Sequence, residues 1–271
     1  MTRNPAVAGS FYPADINQIN ALIKSFNVPP SDDKINAFGI ISPHAGYVYS
    51  GKTALMGYSS IDVKKNIIIM GPNHTGLGLD FSVMNKGSYN FGAFNVPVNS
   101  ILADEIINQK DSPFQSDDKA QLKEHSIEVQ IPLLHYFRSD FSIVPIVISY
   151  IRYDDIIKSA RAIFNALIKL DLTDDVLIVA SSDMTHYESA EEAKIKDLIA
   201  INEILRLDPE GLYNKVISNK ISMCGFIPAS IMLLVAKMAG KTNVKLINYT
   251  NSGEASGDYS SVVGYSSIAV Y

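Results

Sequence analysis

Three apolar runs constrain this chain more than any other feature. Ala37-Phe-Gly-Ile-Ile-Ser-Pro-His44 and Asn66-Ile-Ile-Ile-Met-Gly-Pro-Asn-His74 are two of them. The third is Val176-Leu-Ile-Val-Ala180, followed by Ser181-Ser-Asp-Met-Thr-His186. Each run is rich in β-branched or other apolar residues, stops abruptly, and delivers a histidine just past its end. Apolar runs without polar alternation are buried on both faces, as in the strands of a parallel sheet. Open α/β sheets place their chemistry beyond the carboxyl ends of such strands. Packing needs alone would not repeat the same position three times, so the pattern points to a metal or acid–base site.

The intervening segments read mostly as helices. Asp15 is an N-cap for a helix carrying Ile16, Ile19, Ile23 and Phe26 at helical spacing and stopped by Pro29-Pro30. Further helices are expected at Lys52–Ser60, Ile101–Asn108, Asp154–Leu170, Glu191–Arg206 and Pro209–Ser218. Gly225–Ala239 is apolar all round and so a buried helix. Glu124–Phe137 reads as one helix with Pro132 inside it or near its start, and 44–51 as a loop. Residues 81–98 read as short strands broken at Gly87 and Gly92, with later strands at Phe141–Ser149, Val244–Thr250 and Tyr259–Tyr271. Strand and helix alternate with no linker or repeat, so the expectation is one α/β domain over residues 1–271. Its central sheet should be mostly parallel, with helices on both faces.

Composition excludes several functions. A net charge of −5 with scattered Lys and Arg offers no nucleic-acid surface. The most apolar stretch, Phe226–Met238, is too short to span a bilayer and contains Lys237. No basic segment leads into an apolar one at the N-terminus, so a cytoplasmic protein is expected. The Asn248-Tyr-Thr250 sequon is then accidental. No P-loop, dinucleotide fingerprint or serine-nucleophile elbow is present. One cysteine, Cys224, excludes an internal disulfide framework.

His44, His74 and Cys224 are the candidate metal ligands, since imidazole and thiolate suit borderline metals such as Fe(II), Zn(II) and Cu. Cys224 directly precedes the apolar helix, and a helix N-terminus is expected to lower the thiol pKa. A small buried hydrophobe is the commoner role of a lone cysteine. Asp183 and His186 suit acid–base or ligand-orienting work equally well as a helix cap and a loop residue. His125 and Glu128 are spaced to share a helix face, which more often makes a surface pair than a ligand pair. His135, among apolar residues, is taken as structural.

Several motifs together resemble the Memo family, the mediator-of-motility family of animals and its bacterial and archaeal relatives, also called protein B of the AmmeMemoRadiSam system. They are Arg3-Asn-Pro-Ala-Val-Ala-Gly-Ser-Phe-Tyr-Pro13, Ser42-Pro-His-Ala-Gly-Tyr47, Gly71-Pro-Asn-His74 and Glu124-His-Ser-Ile-Glu-Val-Gln-Ile-Pro132. Ser181-Ser-Asp-Met-Thr-His186, Cys224-Gly225 and Asn251-Ser-Gly-Glu-Ala-Ser-Gly-Asp-Tyr-Ser-Ser261 complete the set. The resemblance implies a fold similar to class III extradiol dioxygenases of the LigB type, which hold Fe(II) through two histidines and a glutamate. Carried over, His44 and His74 match the histidine ligands and Cys224 stands at the third position. His186 with Asp183, and His125, line the same pocket as candidate catalytic residues. A thiolate is softer and more oxidisable than a carboxylate, so ring cleavage does not follow from the fold.

The expectation is therefore a metal-dependent redox or oxygen-handling enzyme, with Fe(II) the leading cofactor and Cu or Zn the alternatives. A protein binding a peptide, phosphopeptide or other small ligand on a dioxygenase scaffold is the rival, and a zinc hydrolase ranks last.

Overall fold

The computed structural model describes residues 1–31 and 33–271. The elements follow the hydrophobic pattern closely. The chain opens with β1 (Thr2–Arg3), α1 (Ile16–Ser25), β2 (Gly39–Ser42), α2 (Lys52–Ser59) and β3 (Asn66–Pro72). The short strands β4 (Phe81–Val83), β5 (Ser88–Asn90) and β6 (Asn95–Pro97) precede α3 (Ser100–Ile107) and β7 (Gln115–Ser116). Then come α4 (Gln130–Phe137), β8 (Ser142–Ile148), α5 (Tyr153–Lys169), β9 (Val176–Ser181) and β10 (His186–Glu188). The remainder is α6 (Ala190–Leu205), α7 (Pro209–Ser218), α8 (Phe226–Met238), β11 (Val244–Asn251), α9 (Gly253–Ser256) and β12 (Val262–Val270). Asp15 caps α1 by accepting from the Asn17 and Gln18 amides, the role its position before an apolar stripe requires.

The main sheet runs β10-β12-β2-β9-β3-β8-β4-β7, with β11 pairing β12. Its four central strands, β2, β9, β3 and β8, are mutually parallel. Antiparallel β12 and β4 flank them, which makes the sheet mixed. A second sheet, β1-β5-β6, holds the N-terminus against the excursion after β4.

The unbroken apolar strands are buried on both sides, and successive residues serve opposite cores. Ile68, Met70, Val144, Ile146 and Ile178 face a layer containing α3, α5, α7 and α8. Ile67, Ile69, Ile143, Val147, Leu177 and Val179 face α1, α2 and α4. A one-residue slip would exchange the two sets, so the register is firmly specified. That register aligns Ser42 with Ser181 and Met70 with Ala180. The loops after β2, β9 and β3 therefore leave the sheet side by side, although β9 lies more than a hundred residues further along the chain.

Three expectations are corrected. The helix foreseen over Glu124–Phe137 begins only at Gln130. Residues 124–129 turn instead, because the Glu124 carboxylate accepts from the amides of His125 and Ser126, both 2.9 Å away. His125 and Glu128 consequently share no helix face. The 44–51 loop contains a π-helical turn, Tyr47–Gly51, that runs directly into α2. The final strand starts at Val262 rather than Tyr259. Among the described residues, no helix is long and apolar enough to cross a membrane.

Candidate metal centre

The three strand-end loops bring His44, His74, Asp183 and His186 to one end of the sheet. The turn before α4 adds His125, and the loop before α8 adds Cys224. Two glycines permit the approach. A Cβ on Gly71 would lie 2.3 Å from Ser126 Oγ, so the end of β3 packs directly on the turn carrying His125. A Cβ on Gly225 would lie 2.2 Å from the Ser181 carbonyl, so the Cys224 loop sits against the end of β9.

The imidazoles of His44, His74 and His125 each offer a ligand nitrogen, all within 4.8 Å of one another. His74 and His125 stack with ring centroids 4.6 Å apart, and both meet His44 edge-on. His44 is buried; its Nδ1 lies 2.9 Å from Ser181 Oγ and its Nε2 lies 3.2 Å from Cys224 Sγ. His74 Nδ1 lies 2.9 Å from Glu124 Oε1, and the His74 amide donates to Glu124 Oε2 at 2.6 Å. An ionised carboxylate only accepts, so His74 Nδ1 carries the proton and Nε2 is free. The same reasoning applies to His186, whose Nδ1 donates to the Ser222 carbonyl at 3.0 Å.

Burial sets the electrostatics. It holds His44 well below the ordinary histidine range, and the neighbouring charges of His74, His125 and His186 add to the effect. His125 is likewise lowered by burial, which outweighs the Glu124 carboxylate. Both rings are therefore neutral near neutral pH, the form that ligates metal. Burial pushes Glu124 upward, but the His74 hydrogen bond and charge and the Ser126 amide override it and hold the group at about 2. Asp183 goes the other way. Burial lifts it to about 6 against hydrogen bonds from the His44 and Ala45 amides.

Cys224 corrects the sequence expectation of a lowered thiol pKa. Burial and then the Asp183 charge push it up, and together they outweigh a helix terminus that contributes only partial charge. Asp183 does not cap a helix, since Ser189 caps α6. It ties the His44 loop to the end of β9, with Oδ2 3.9 Å from His44 Nε2. Glu128 leaves the cluster altogether: it pairs with buried Arg3 and accepts from the Tyr12 hydroxyl and the Ala6 and Val7 amides. His135 stacks on Phe94 with ring centroids 3.8 Å apart.

Sequence reasoning passed over Glu124 and Ser181, whose side chains meet His74 and His44. Glu124 precedes a candidate histidine directly and Ser181 ends the most apolar strand, but neither position reveals its partner.

The family model for Memo-like proteins matches residues 3–269. The chain belongs to this family. Among curated relatives, a MEMO1 family protein of Aquifex aeolicus is 41% identical over 265 residues, covering 97% of each chain. One from Desulfurococcus amylolyticus is 40% identical over 291 residues, covering 99% of each. One from Thermoplasma volcanium is 38% identical over 272 residues, covering 99% of this chain and 98% of its own. The match to Memo-like proteins takes in every loop of the cluster, from the turn at His44 to Cys224 and the closing strand.

Proposed function

We propose that this Memo-like protein holds one transition-metal ion between His44 and His74, with His125 and Cys224 supplying the remaining donors, and that it is a redox or oxygen-handling enzyme. The observation that carries the reading is the convergence of three imidazole nitrogens, one of them backed by a carboxylate through its other ring nitrogen. Carboxylate-backed imidazoles with free Nε2 atoms are the outer-shell arrangement that orients metal ligands. The donors fit borderline metals, and Fe(II) is the ion proposed, ahead of Cu and Zn. Such an ion would supply redox or Lewis-acid chemistry.

The protein's own residues would do the rest. Buried Asp183, lifted to about 6, and His186, with a free Nε2, are the proposed proton-holding groups. Glu124 stays ionised and keeps His74 in its ligating tautomer. A cytoplasmic location accords with the reading.

The test is metal content by elemental mass spectrometry after chelator-free anaerobic purification. Near-stoichiometric iron or copper, lost in His44→Ala and His74→Ala, supports the proposal. Replacing His125 or Cys224 singly is then expected to lower the metal content as well, and a variant that keeps its full metal removes that residue from the donor set. Zinc in the same pattern moves the reading to hydrolysis. Metal-free protein that binds peptide equally well with and without His44 replaces the enzyme with a binding protein.

A further inference from the structure

β11 is an outermost strand of the main sheet, eight residues long, and among the described residues no strand pairs with its outer side. The direction of its backbone groups follows from β12. The Val270 carbonyl accepts from the Phe38 amide, and Gly264 bonds to Met184 and Thr185, so both residues of β12 point away from β11. By alternation, residues 265, 267 and 269 of β12 point toward β11, where they pair with Thr250, Asn248 and Lys245. The N–H and C=O groups of Val244, Leu246, Tyr249 and Asn251 therefore point outward, and among the described residues none has a backbone partner there. The middle interval is longer than the others because β11 is bulged between Leu246 and Asn248. A regular strand offers such groups at every second residue and can match only half of this edge. A second β11 running antiparallel carries the same gap in the same place. About a two-fold axis at the 247–248 peptide, Leu246 faces Tyr249 of the copy and Val244 faces Asn251, all of them outward-pointing residues.

We propose that β11 is the contact between two copies of this chain, joined antiparallel about the 247–248 peptide into one continuous sheet. The side chains agree with the backbone. Val244, Leu246 and Tyr249 are only partly buried, on the face of the sheet that α6 covers. α6 packs on β11 and β12 and holds Leu198 and Leu205, two turns apart, each 39% exposed. An apolar helix side thus stands beside the open edge and meets its own copy across the axis. On the opposite face, pairing brings exposed Lys245 opposite Thr250 of the copy, where that strand runs toward α9 and its exposed Glu254. β11 itself carries no acidic side chain, so in a protein of net charge −5 this edge lets two copies approach without opposing carboxylates. The bulge turns away ordinary strands, which is how open edges avoid indiscriminate pairing, and admits the one strand that shares it.

The test is sedimentation velocity on the full-length protein over a range of micromolar concentrations, where wild type is expected at twice the chain mass of 29.7 kDa. Val244→Pro removes one outward N–H at the first residue of the strand and leaves the bonds to β12 in place. Leu198→Glu sets two carboxylates against each other across the axis. Each is expected to weaken the dimer by about 10-fold or more, with circular dichroism confirming the fold. The register is read separately with Lys245→Cys combined with Thr250→Cys. Both residues point inward to β12, so across the axis they form a non-hydrogen-bonded pair with Cα atoms about 4.5 Å apart, close enough for a disulfide. Within one chain the same two positions lie about 16 Å apart along the strand and cannot bridge. Oxidation is expected to give a covalent dimer. A wild-type monomer at every concentration overturns the proposal. A dimer that keeps its full affinity in both folded surface variants and fails to cross-link overturns it as well, because the copies then meet elsewhere.

Discussion

Glu128→Gln measures how firmly the turn carrying His125 is anchored. In wild type the Arg3 and Glu128 side chains are almost wholly buried and paired. Each Glu128 oxygen also accepts a backbone amide, from Ala6 at 2.8 Å and Val7 at 3.1 Å, and Oε1 accepts the Tyr12 hydroxyl at 2.5 Å. Glutamine keeps the shape, but in either orientation its NH2 meets an N–H donor, and Arg3 loses its counter-charge. Removing one partner of a buried pair costs about 3–5 kcal/mol. Arg3 retains the carbonyls of Asn4, Gln121 and Glu124 as acceptors, which places the expected loss near the lower end, about 3 kcal/mol. At about 2–4 °C per kcal/mol for a domain of this size, Tm falls by roughly 6–12 °C. Urea unfolding at constant m value is the assay, with the loss read from the midpoint. Pairing Arg3→Met with Glu128→Leu should recover only part of the loss, because the Tyr12 hydroxyl and two amides remain without an acceptor. A Glu128→Gln loss under about 1 kcal/mol would refute the argument, since no buried charge would then have been left uncompensated.

Acid should unfold the protein partly through Glu124. Its pKa is depressed from 4.5 to about 2, so its contribution, on the order of 3 kcal/mol, is complete above pH 4.5 and lost as pH falls toward 2. Chemical denaturation across that window should show a flatter acid limb in Glu124→Gln. Asp183 has the opposite sign. Its pKa is raised from 3.8 to about 6, so its stabilising contribution is present below the lower value and lost as pH rises through that window. Asp183→Asn keeps an oxygen for the His44 and Ala45 amides and should gain Tm relative to wild type above pH 6, as scanning calorimetry at pH 4 and 8 would show. Gly225→Ala places a Cβ 2.2 Å from the Ser181 carbonyl. It should cost about 1–3 kcal/mol, and elemental analysis should find reduced metal, because the Cys224 loop must move away from β9.

The sequence was most legible where structure is local. The apolar runs of β2, β3, β8 and β9 announced themselves because a strand buried on both faces has no polar alternation to blur it. The stripe of α5 and the largely apolar α8 were equally plain. Glu124–Phe137 misled for a local reason: apolar spacing continued N-terminally from α4, while the Glu124 carboxylate captured the His125 and Ser126 amides and turned the chain. Cys224 misled for a non-local one. The helix start beside it is visible in the sequence, but the enclosure and the Asp183 carboxylate that raise its pKa come from distant strands.

By itself, the sequence determined the α/β class, the family motifs and the placing of histidines at strand ends, because hydrophobic period and strand termination are properties of short segments. Only the tertiary structure decided that β9 lies between β2 and β3, so that Ser181 faces His44 and Glu124 faces His74. Strand order is settled by packing two cores against one sheet, and the partners it creates are separated by tens to more than a hundred residues. The tautomers, the raised Asp183 and the depressed Glu124 follow from those partners.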